Sequence, residues 1–479
     1  MKTYKTYGWL MSLLVILTLL LAACAGAAPV ETEEPEPGAA EEVEAEPAEE
    51  VEEEAPAEEA EPAEEPAEAE AEPTEAVEEE PVEEVGAEEE TEEEGAEADM
   101  EEATGEPLRI GVLSDLTGPL ALFGNETWEG LQIGFDYATD ETMAVANRPI
   151  ELIIRDTTGD VEAGTAAARE LIEAEGVELL VGNTNSAVAL QVQQIADENE
   201  ILYFAAPAAS PDITGANFNE HTFRICRNSA QDALTVAGYA LENIGDTYTI
   251  LAEDYAFGQA TAAGFQAAFG EMGAEFTGEP IFAPSDTTDF TPYIQQINEA
   301  DPDGLILVWA SNTSAQILFD QLTSQGITEE IPIITGFSSN DLTQLLDPGN
   351  VGSVGLIVYH YTLPDTVANT YLTTQYLARY DGPPDLFSEC GFATAQAIVQ
   401  ALEETEGDTT PEALIPALEG LTFEGPKGTY TIRPEDHQAL APMYVVRLVN
   451  VDDPEFRFFE LVEEVSAEEA APPCVAETC

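Results

Sequence analysis

The sequence predicts an α/β protein of two doubly wound lobes. Short apolar, β-rich runs alternate with helical stretches, the alternation starts afresh after Asn228, and about 370 residues carry it, enough for two cores. In the first half, "LRIGVLS" (108–114), "IELIIR" (150–155), "ELLVG" (178–182) and "ILYFAA" (201–206) read as buried strands. Between them "NETWEGLQIGFDYATDE" (125–141), "VEAGTAAARELIEAEG" (161–176) and "SAVALQVQQIADENE" (186–200) place apolar residues at helical spacing. Uninterrupted apolar strands separated by helices imply a parallel sheet covered on both faces. In the second half, "TYTILAE" (247–253), a helix from Gly258, "GLILVWA" (304–310), a helix from Thr313, "IPIITG" (331–336) and "VGLIVYHY" (354–361) repeat the pattern. Ligands of open α/β sheets bind beyond the strands' carboxyl ends, so two such lobes make a cleft that can close by hinge motion.

Ahead of the lobes lie two segments of different character. Lys2 and Lys5 precede an uncharged stretch from Trp9 to Ala23, the layout of a secretory signal, and its apolar middle is too short to span a bilayer. Leu21-Ala22-Ala23-Cys24 resembles the lipobox of bacterial lipoproteins, which implies cleavage after residue 23 and lipidation of Cys24; an ordinary signal cut near Ala23 or Ala28 is the alternative. From Ala25 to Glu106 there are 38 acidic residues and no Lys or Arg. Such a stretch cannot bury enough apolar surface to offset chain entropy, and its prolines and like charges favour a disordered, extended tether over residues 24–106.

The acidity continues beyond the tether: of 97 acidic residues 59 fall in Pro107 to Cys479, against 11 basic ones, with Lys427 the sole lysine there. Nucleic acid is excluded as a partner, because phosphate binding depends on Lys and Arg. A surface this acidic favours solubility in a salty or acidic exterior. No G-x-S-x-G elbow, phosphate-binding G-x-x-x-x-G-K-[ST] loop or G-x-G-x-x-G opening appears, and His221, His360 and His437 stand alone. The expectation is no enzyme, no cofactor and no metal.

From Pro107 to about Val462 the chain resembles the branched-chain amino-acid-binding type of solute-binding protein that serves bacterial ABC transporters. The resemblance rests on "RIGVLSDLTGPLALFG", "GVELLVGNTNSAVALQV", "ILYFAAPAASPDIT", "HTFRICRNSAQDA", "LAEDYAFGQA", "DPDGLILVWA" and "FEGPKGTYTIRPEDHQALAPMYVVRL", in that order. It implies the type I periplasmic binding protein fold, with an N-terminal lobe from 107–228 and 363–422, a C-terminal lobe from 229–362 and 423–462, and an acidic tail at 463–479. It implies a monomer, tethered outside the cell membrane, that captures a branched-chain amino acid or a related small carboxylate or amide in the interlobe cleft by hinge closure and delivers it to an ABC permease. A sensory receptor domain with the same fold, and a secreted hydrolase, are the competing readings.

Site residues follow from the same resemblance. Asn185 and Ser186, opening a helix, with Ala208 and Ser210 from the next loop, would cradle a carboxylate, as helix N-termini favour anions. Phe123 and Phe257, where the family often carries Tyr, with Trp309 and Asn312, would line the pocket. The family often places Glu after the strand written here "PIITGFSSNDL", where this chain has Phe337, Ser338 and Ser339. Asp254, Asp341 and Glu389 are the substitutes for binding an ammonium; a carboxylate without an amino group, an amide or a urea-like solute fits equally well. Cys226 and Cys390 flank lobe crossings, and Cys474 and Cys479 sit in "CVAETC". Pairing within each couple is the expectation, among three connectivities, against free thiols or a chain-to-chain link.

Overall fold

The computed structural model describes residues 103–476 and 478–479. The signal segment, Cys24 and the tether up to residue 102 lie outside the described residues. The first lobe begins with β1 (Leu108–Ser114), α1 (Ala121–Ala138), β2 (Ala144–Val145), β3 (Arg148–Asp156), α2 (Val161–Glu170), β4 (Leu179–Gly182), α3 (Ser186–Glu198), β5 (Leu202–Ala205) and β6 (Thr222–Phe223). The chain then builds α4 (Ser229–Asn243), β7 (Thr247–Glu253), α5 (Ala256–Glu271), β8 (Glu275–Phe276), β9 (Ile281–Ala283), α6 (Thr291–Ala300) and β10 (Gly304–Val308) in the second lobe. There it continues through α7 (Asn312–Ser324), α8 (Ile327–Glu330), β11 (Ile333–Ile334), α9 (Asn340–Thr343) and β12 (Val354–Ile357). It returns to the first lobe for α10 (Val367–Arg379), α11 (Ser388–Glu404), α12 (Pro411–Leu418), β13 (Thr422–Gly425), β14 (Gly428–Ile432) and β15 (Ala439–Leu440), and ends with β16 (Met443–Leu448) and β17 (Phe459–Val465).

Both lobes carry the expected parallel sheets. The first runs β2-β3-β1-β4-β5-β6, antiparallel only at the β2–β3 hairpin; the second runs β11-β10-β7-β8, with β9 also along β7. In β1 every residue but Arg109 is buried, which is why the run reads as continuously apolar. A further sheet, β12-β16-β17, is antiparallel and joins the second lobe by a bridge between Gly336 and Leu356. The strand expected at 331–336 is therefore only Ile333–Ile334, because β12 pairs with β16 instead of continuing the parallel set. The helix expected over 125–141 starts at Ala121 and stops at Ala138, beyond which Asp140 and Glu141 turn left-handed (φ 50° and 63°).

Phe423, Tyr430, Ile432 and Ala439 sit in the core cluster of Leu108, Ile110 and Leu179, so the β13–β15 sheet belongs with the first lobe. The chain thus leaves that lobe near Ala441, later than the boundary at 423 expected from the sequence, and touches it again with its tail. Leu120, Phe123, Leu386 and Phe387 go the other way and join the second lobe's core cluster.

The crossings are held by one buried guanidinium. Arg224, fully buried, donates to Gln438 Oε1 (2.7 Å), to the carbonyls of Ala208 (3.2 Å) and Ser210 (2.7 Å), and to the Thr214 hydroxyl. Gln438, from the last crossing, donates in turn to the Cys226 carbonyl (2.8 Å). Cys226 is disulfide-bonded to Cys390 at the start of α11, and Cys474 to Cys479 in the tail. That tail is docked: Arg433 donates to the Pro472 carbonyl at 2.8 Å, and Ala470 is buried. A Gln438→Leu variant strands a buried, charged donor and should lose at least about 2 kcal/mol of unfolding free energy. Urea unfolding followed by circular dichroism measures it, and an unchanged midpoint would show that Arg224 does not depend on Gln438.

Candidate functional site

The carboxyl ends of the two sheets are each finished by an acid. Asp115, following β1, accepts the backbone N–H of Gly159 (3.0 Å) and of Asn185 (3.1 Å), the Asn183 side-chain amide (3.1 Å) and the Thr157 hydroxyl. Glu253, ending β7, accepts the N–H groups of Ala310 (2.8 Å) and Ser311 (3.2 Å) from the loop after β10. Burial raises the pKa of both, and pushes that of Glu253 to about 7 against the pull of these donors. Each acid is overlain by a helix glycine that must lack a Cβ: on Gly124 it would come 2.2 Å from the Asp115 carbonyl, on Gly258 2.0 Å from that of Glu253. Tyr255, at the start of α5, marks the space between the lobes: burial raises its hydroxyl's pKa, as do the charges of Glu253 from one lobe and Asp115 from the other.

Four of the predicted residues share one corner of the first lobe. Asn185 caps α3 by accepting from Ala187 N–H (2.8 Å), and the Ser186 hydroxyl accepts Ser210 N–H (3.2 Å). Ala208 donates its N–H to the Asn183 carbonyl (3.0 Å), and the Ser210 hydroxyl accepts Asp212 N–H (3.4 Å). The carboxylate on the Asn185 N–H is therefore the protein's own, Asp115. Both hydroxyl oxygens act here as acceptors, on buried side chains.

The other predicted residues are dispersed. Phe123 packs edge-on against Phe387 (5.1 Å between centroids) within the second lobe's cluster. Phe257 lies half-buried beside Tyr255 (5.9 Å). Trp309 donates to the Ser314 hydroxyl (3.1 Å) and, with Phe319 and Phe337, lines a cavity of about 300 Å³ formed wholly by second-lobe residues. Asn312 is the first residue of α7. Of the acids expected to receive an ammonium, Asp254 and Asp341 are exposed, while Glu389 is buried and accepts the Tyr430 hydroxyl, 4.0 Å from Lys427 Nζ.

A polar seam that the sequence did not reveal joins the lobes. Glu126 on α1 accepts Phe387 N–H (3.3 Å), and Asp385 accepts Leu386 N–H (2.9 Å) together with Asn340 N–H (2.6 Å) from the second lobe. Burial raises both carboxyls' pKa, that of Asp385 to about 7 and that of Glu126 further through the Asp385 charge beside it. Glu126 Oε1, Ser339 Oγ and both polar atoms of Asn340 are buried with no hydrogen-bond partner among the described residues. Over the Phe387 ring stands Arg227, its guanidinium 5.2 Å from the centroid and 3.4 Å from Asp232. Nothing local marked these acids out; Glu126 and Asp385 are separated by more than half the described chain and meet only through the α1–α11 contact, where Gly130 abuts the Ser388 backbone.

The sequence pattern of the family described as periplasmic binding protein matches residues 107–453. Leu/Ile/Val-binding protein homolog 3 of Brucella melitensis is 24% identical over 328 residues, 68% of this chain and 86% of the relative. The crystal structure of an ABC-type branched-chain amino acid transporter protein from Rhodopseudomonas palustris is 33% identical, covering 77% of this chain and all of that one, with a TM-score of 0.65. A solute-binding protein of an ABC transporter from another strain of that species, solved with 3,4-dihydroxybenzoic acid, is 21% identical over 75% of this chain and 98% of its own, with a TM-score of 0.67, and shares the fold.

The raised pKa of Glu253 fixes a sign. The folded state prefers the protonated acid, so its contribution to stability is complete below the ordinary carboxyl pKa near 4.5 and is lost as pH rises through about 7. Relative to Glu253→Gln, the wild type should lose about 1–3 kcal/mol of unfolding free energy between pH 5 and pH 8. Urea titrations of both proteins at the two pH values measure this, and a constant difference would contradict it.

Proposed function

The chain belongs to the periplasmic binding protein family, and from that premise we propose that it captures a small solute bearing a hydrogen-bond-donating nitrogen, an amino acid or an amide, in the interlobe cleft. As a substrate-binding protein of the Leu/Ile/Val-binding type it works outside the cytoplasm and serves an ABC transporter; the fold is that of solute-binding proteins, not enzymes.

The observation that carries the ligand class is the seam. Two buried carboxyls, Glu126 and Asp385, stand beside the unpartnered Ser339 and Asn340 side chains, and buried polar groups without partners are costly. An ammonium or amide N–H donates to Glu126 Oε1 and Asn340 Oδ1, and a solute oxygen accepts from Asn340 Nδ2. The solute's acceptor end, a carboxylate or carbonyl, goes to the Ser186 and Ser210 hydroxyls, with Asp115 disfavouring a solute that carries negative charge alone. Tyr255, Phe257 and Phe123 flank its apolar part. Closure follows because contacts from both lobes stabilise the closed state. The domain acts as a monomer at the end of the 24–106 tether, anchored through acylated Cys24, and hands its solute to the permease.

Thermal shift of the secreted chain with leucine, short amides, urea and 4-hydroxybenzoate tests this. A true ligand at 100 times its dissociation constant adds about 2.7 kcal/mol of stability. Stabilisation by amino acids or amides is expected; none with any nitrogen-bearing solute, or stabilisation by the benzoate alone, would refute the ligand class. For the solute that binds, Ser210→Ala should cost about 1 kcal/mol and Glu126→Gln more than that if the solute is an ammonium. Isothermal titration calorimetry reads both, and wild-type affinity in the pair would place the ligand elsewhere.

A further inference from the structure

In the second lobe two neighbouring strands part and leave a gap. The Leu305 N–H of β10 donates to the Pro332 carbonyl (2.9 Å), and the parallel register sets Leu305 beside Ile333 and Ile306 beside Ile334. Successive residues of a strand turn their N–H and C=O groups to opposite edges, so Pro332 and Ile334 serve β10 while Ile333, Thr335 and Phe337 face away from it. On that far edge Phe337 N–H donates to the Leu356 carbonyl (2.8 Å) and Gly336 bridges to Leu356, and there the pairing with β12 stops. β12 is held by β16 instead, Gly355 opposite Val446 and Leu356 opposite Val445. Leu356 gives its carbonyl to Phe337, so Val354, two residues earlier, also turns its N–H and C=O towards β11. Among the described residues, nothing across the gap pairs with the N–H or C=O of Ile333, with Thr335 N–H, or with the N–H or C=O of Val354.

The gap is hollow. The cavity of about 300 Å³ is lined by Ile333, Thr335 and Val354 and bounded by α4, α7 and the loop after β11. Its walls carry four aromatic rings, Tyr239, Trp309, Phe319 and Phe337, and none of the residues lining it is charged. In a domain with 59 acids this selects the occupant, because an ionised group inside would meet no counter-charge. Backbone groups left open on both long sides of a half-buried slot call for partners. An extended peptide supplies them from its two edges at once, as a strand added to a sheet does, and a purely apolar molecule cannot. At about 3.3 Å per residue, positions 332–335 give the slot a length of roughly 10 Å, room for about three residues of strand.

We infer that this fork binds a short, uncharged peptide in extended conformation, inserted between β11 and β12 as the strand the sheet lacks. Ile333 and Thr335 pair with one of its edges and Val354 with the other, and its apolar side chains lie against the Trp309, Phe319 and Phe337 rings. The site belongs to the second lobe alone and does not depend on what the cleft binds.

The test is calorimetric titration of the full secreted chain with N-acetyl-Ala-Phe-Ala-amide and with its charged counterpart, N-acetyl-Asp-Phe-Asp-amide. Hydrogen–deuterium exchange read by mass spectrometry accompanies it. The neutral peptide should bind at least ten-fold more tightly than the charged one and slow exchange in residues 333–337 and 353–356. Ala315→Phe, which fills the slot from α7, should weaken it ten-fold or more. Ile333→Pro, which removes an N–H that β10 does not use, should weaken it three-fold or more. If that variant does not fold, Ala315→Phe and the exchange pattern still decide. The cleft variant Ser210→Ala should leave the peptide's affinity unchanged, and Ala315→Phe should leave the thermal shift with the cleft solute unaltered. No binding of the neutral peptide, equal affinity for the charged one, full affinity in Ala315→Phe, or protection outside both segments only would overturn the site. A loss in Ser210→Ala with none in Ala315→Phe would put the peptide in the cleft and overturn it equally.

Discussion

A guanidinium in the interior governs this molecule. Arg224 is entirely removed from water, at the point where the chain first crosses between lobes, and among the described residues no carboxylate sits directly on it. Its burial is tolerable only because neutral acceptors surround it, two of them the carbonyls of Ala208 and Ser210. The loop bearing the proposed solute contacts is thus moored to the hinge rather than free to adapt. The same guanidinium recruits Gln438 from the last crossing, so two crossing strands share one hydrogen-bonding centre. A charge that cannot leave without stranding its partners is an effective way to fix where two bodies pivot.

Around that pivot the lobes repeat one electrostatic device. Asp115 and Glu253 each take backbone N–H groups at a strand end, under a glycine that lets the helix backbone come close. In most open α/β sheets such amides are vacant and attract an anion. Here the protein's own carboxyl oxygens accept from those amides, which leaves them no vacancy for an external anion. The tendency agrees with the seam, where carboxyls again outnumber cations.

The fold was largely legible because its grammar is local. Continuous apolar runs such as Leu108–Ser114 and Thr247–Glu253 can only be strands buried on both faces, and both appear with the expected limits. What failed depended on partners distant in sequence. Ile331 to Gly336 looks like a whole strand until β12 is seen to pair elsewhere, and the hairpin at Thr422–Ile432 belongs to whichever core accepts Phe423 and Tyr430. The site divided along the same line. Asn185, Ser186, Ala208 and Ser210 fall together because consecutive βα loops place them there, but that Asp115 already occupies the Asn185 amide is a tertiary fact. Glu126 and Asp385 were invisible among 97 acids because only burial distinguishes them.

The membership of β13–β15 in the first lobe has a bearing on how the chain comes to be folded at all. A polypeptide emerging N-terminus first delivers Leu108 and Ile110 long before Tyr430 and Ile432, which complete their cluster. The core of the lobe that appears first is therefore closed only by residues near the end of the chain, and that of the second lobe, which includes Tyr444, Val446 and Phe459, later still. The cysteines of the described residues fit that timetable: in order of appearance, Cys226 meets Cys390 before Cys474 exists outside, and the last two are left only each other.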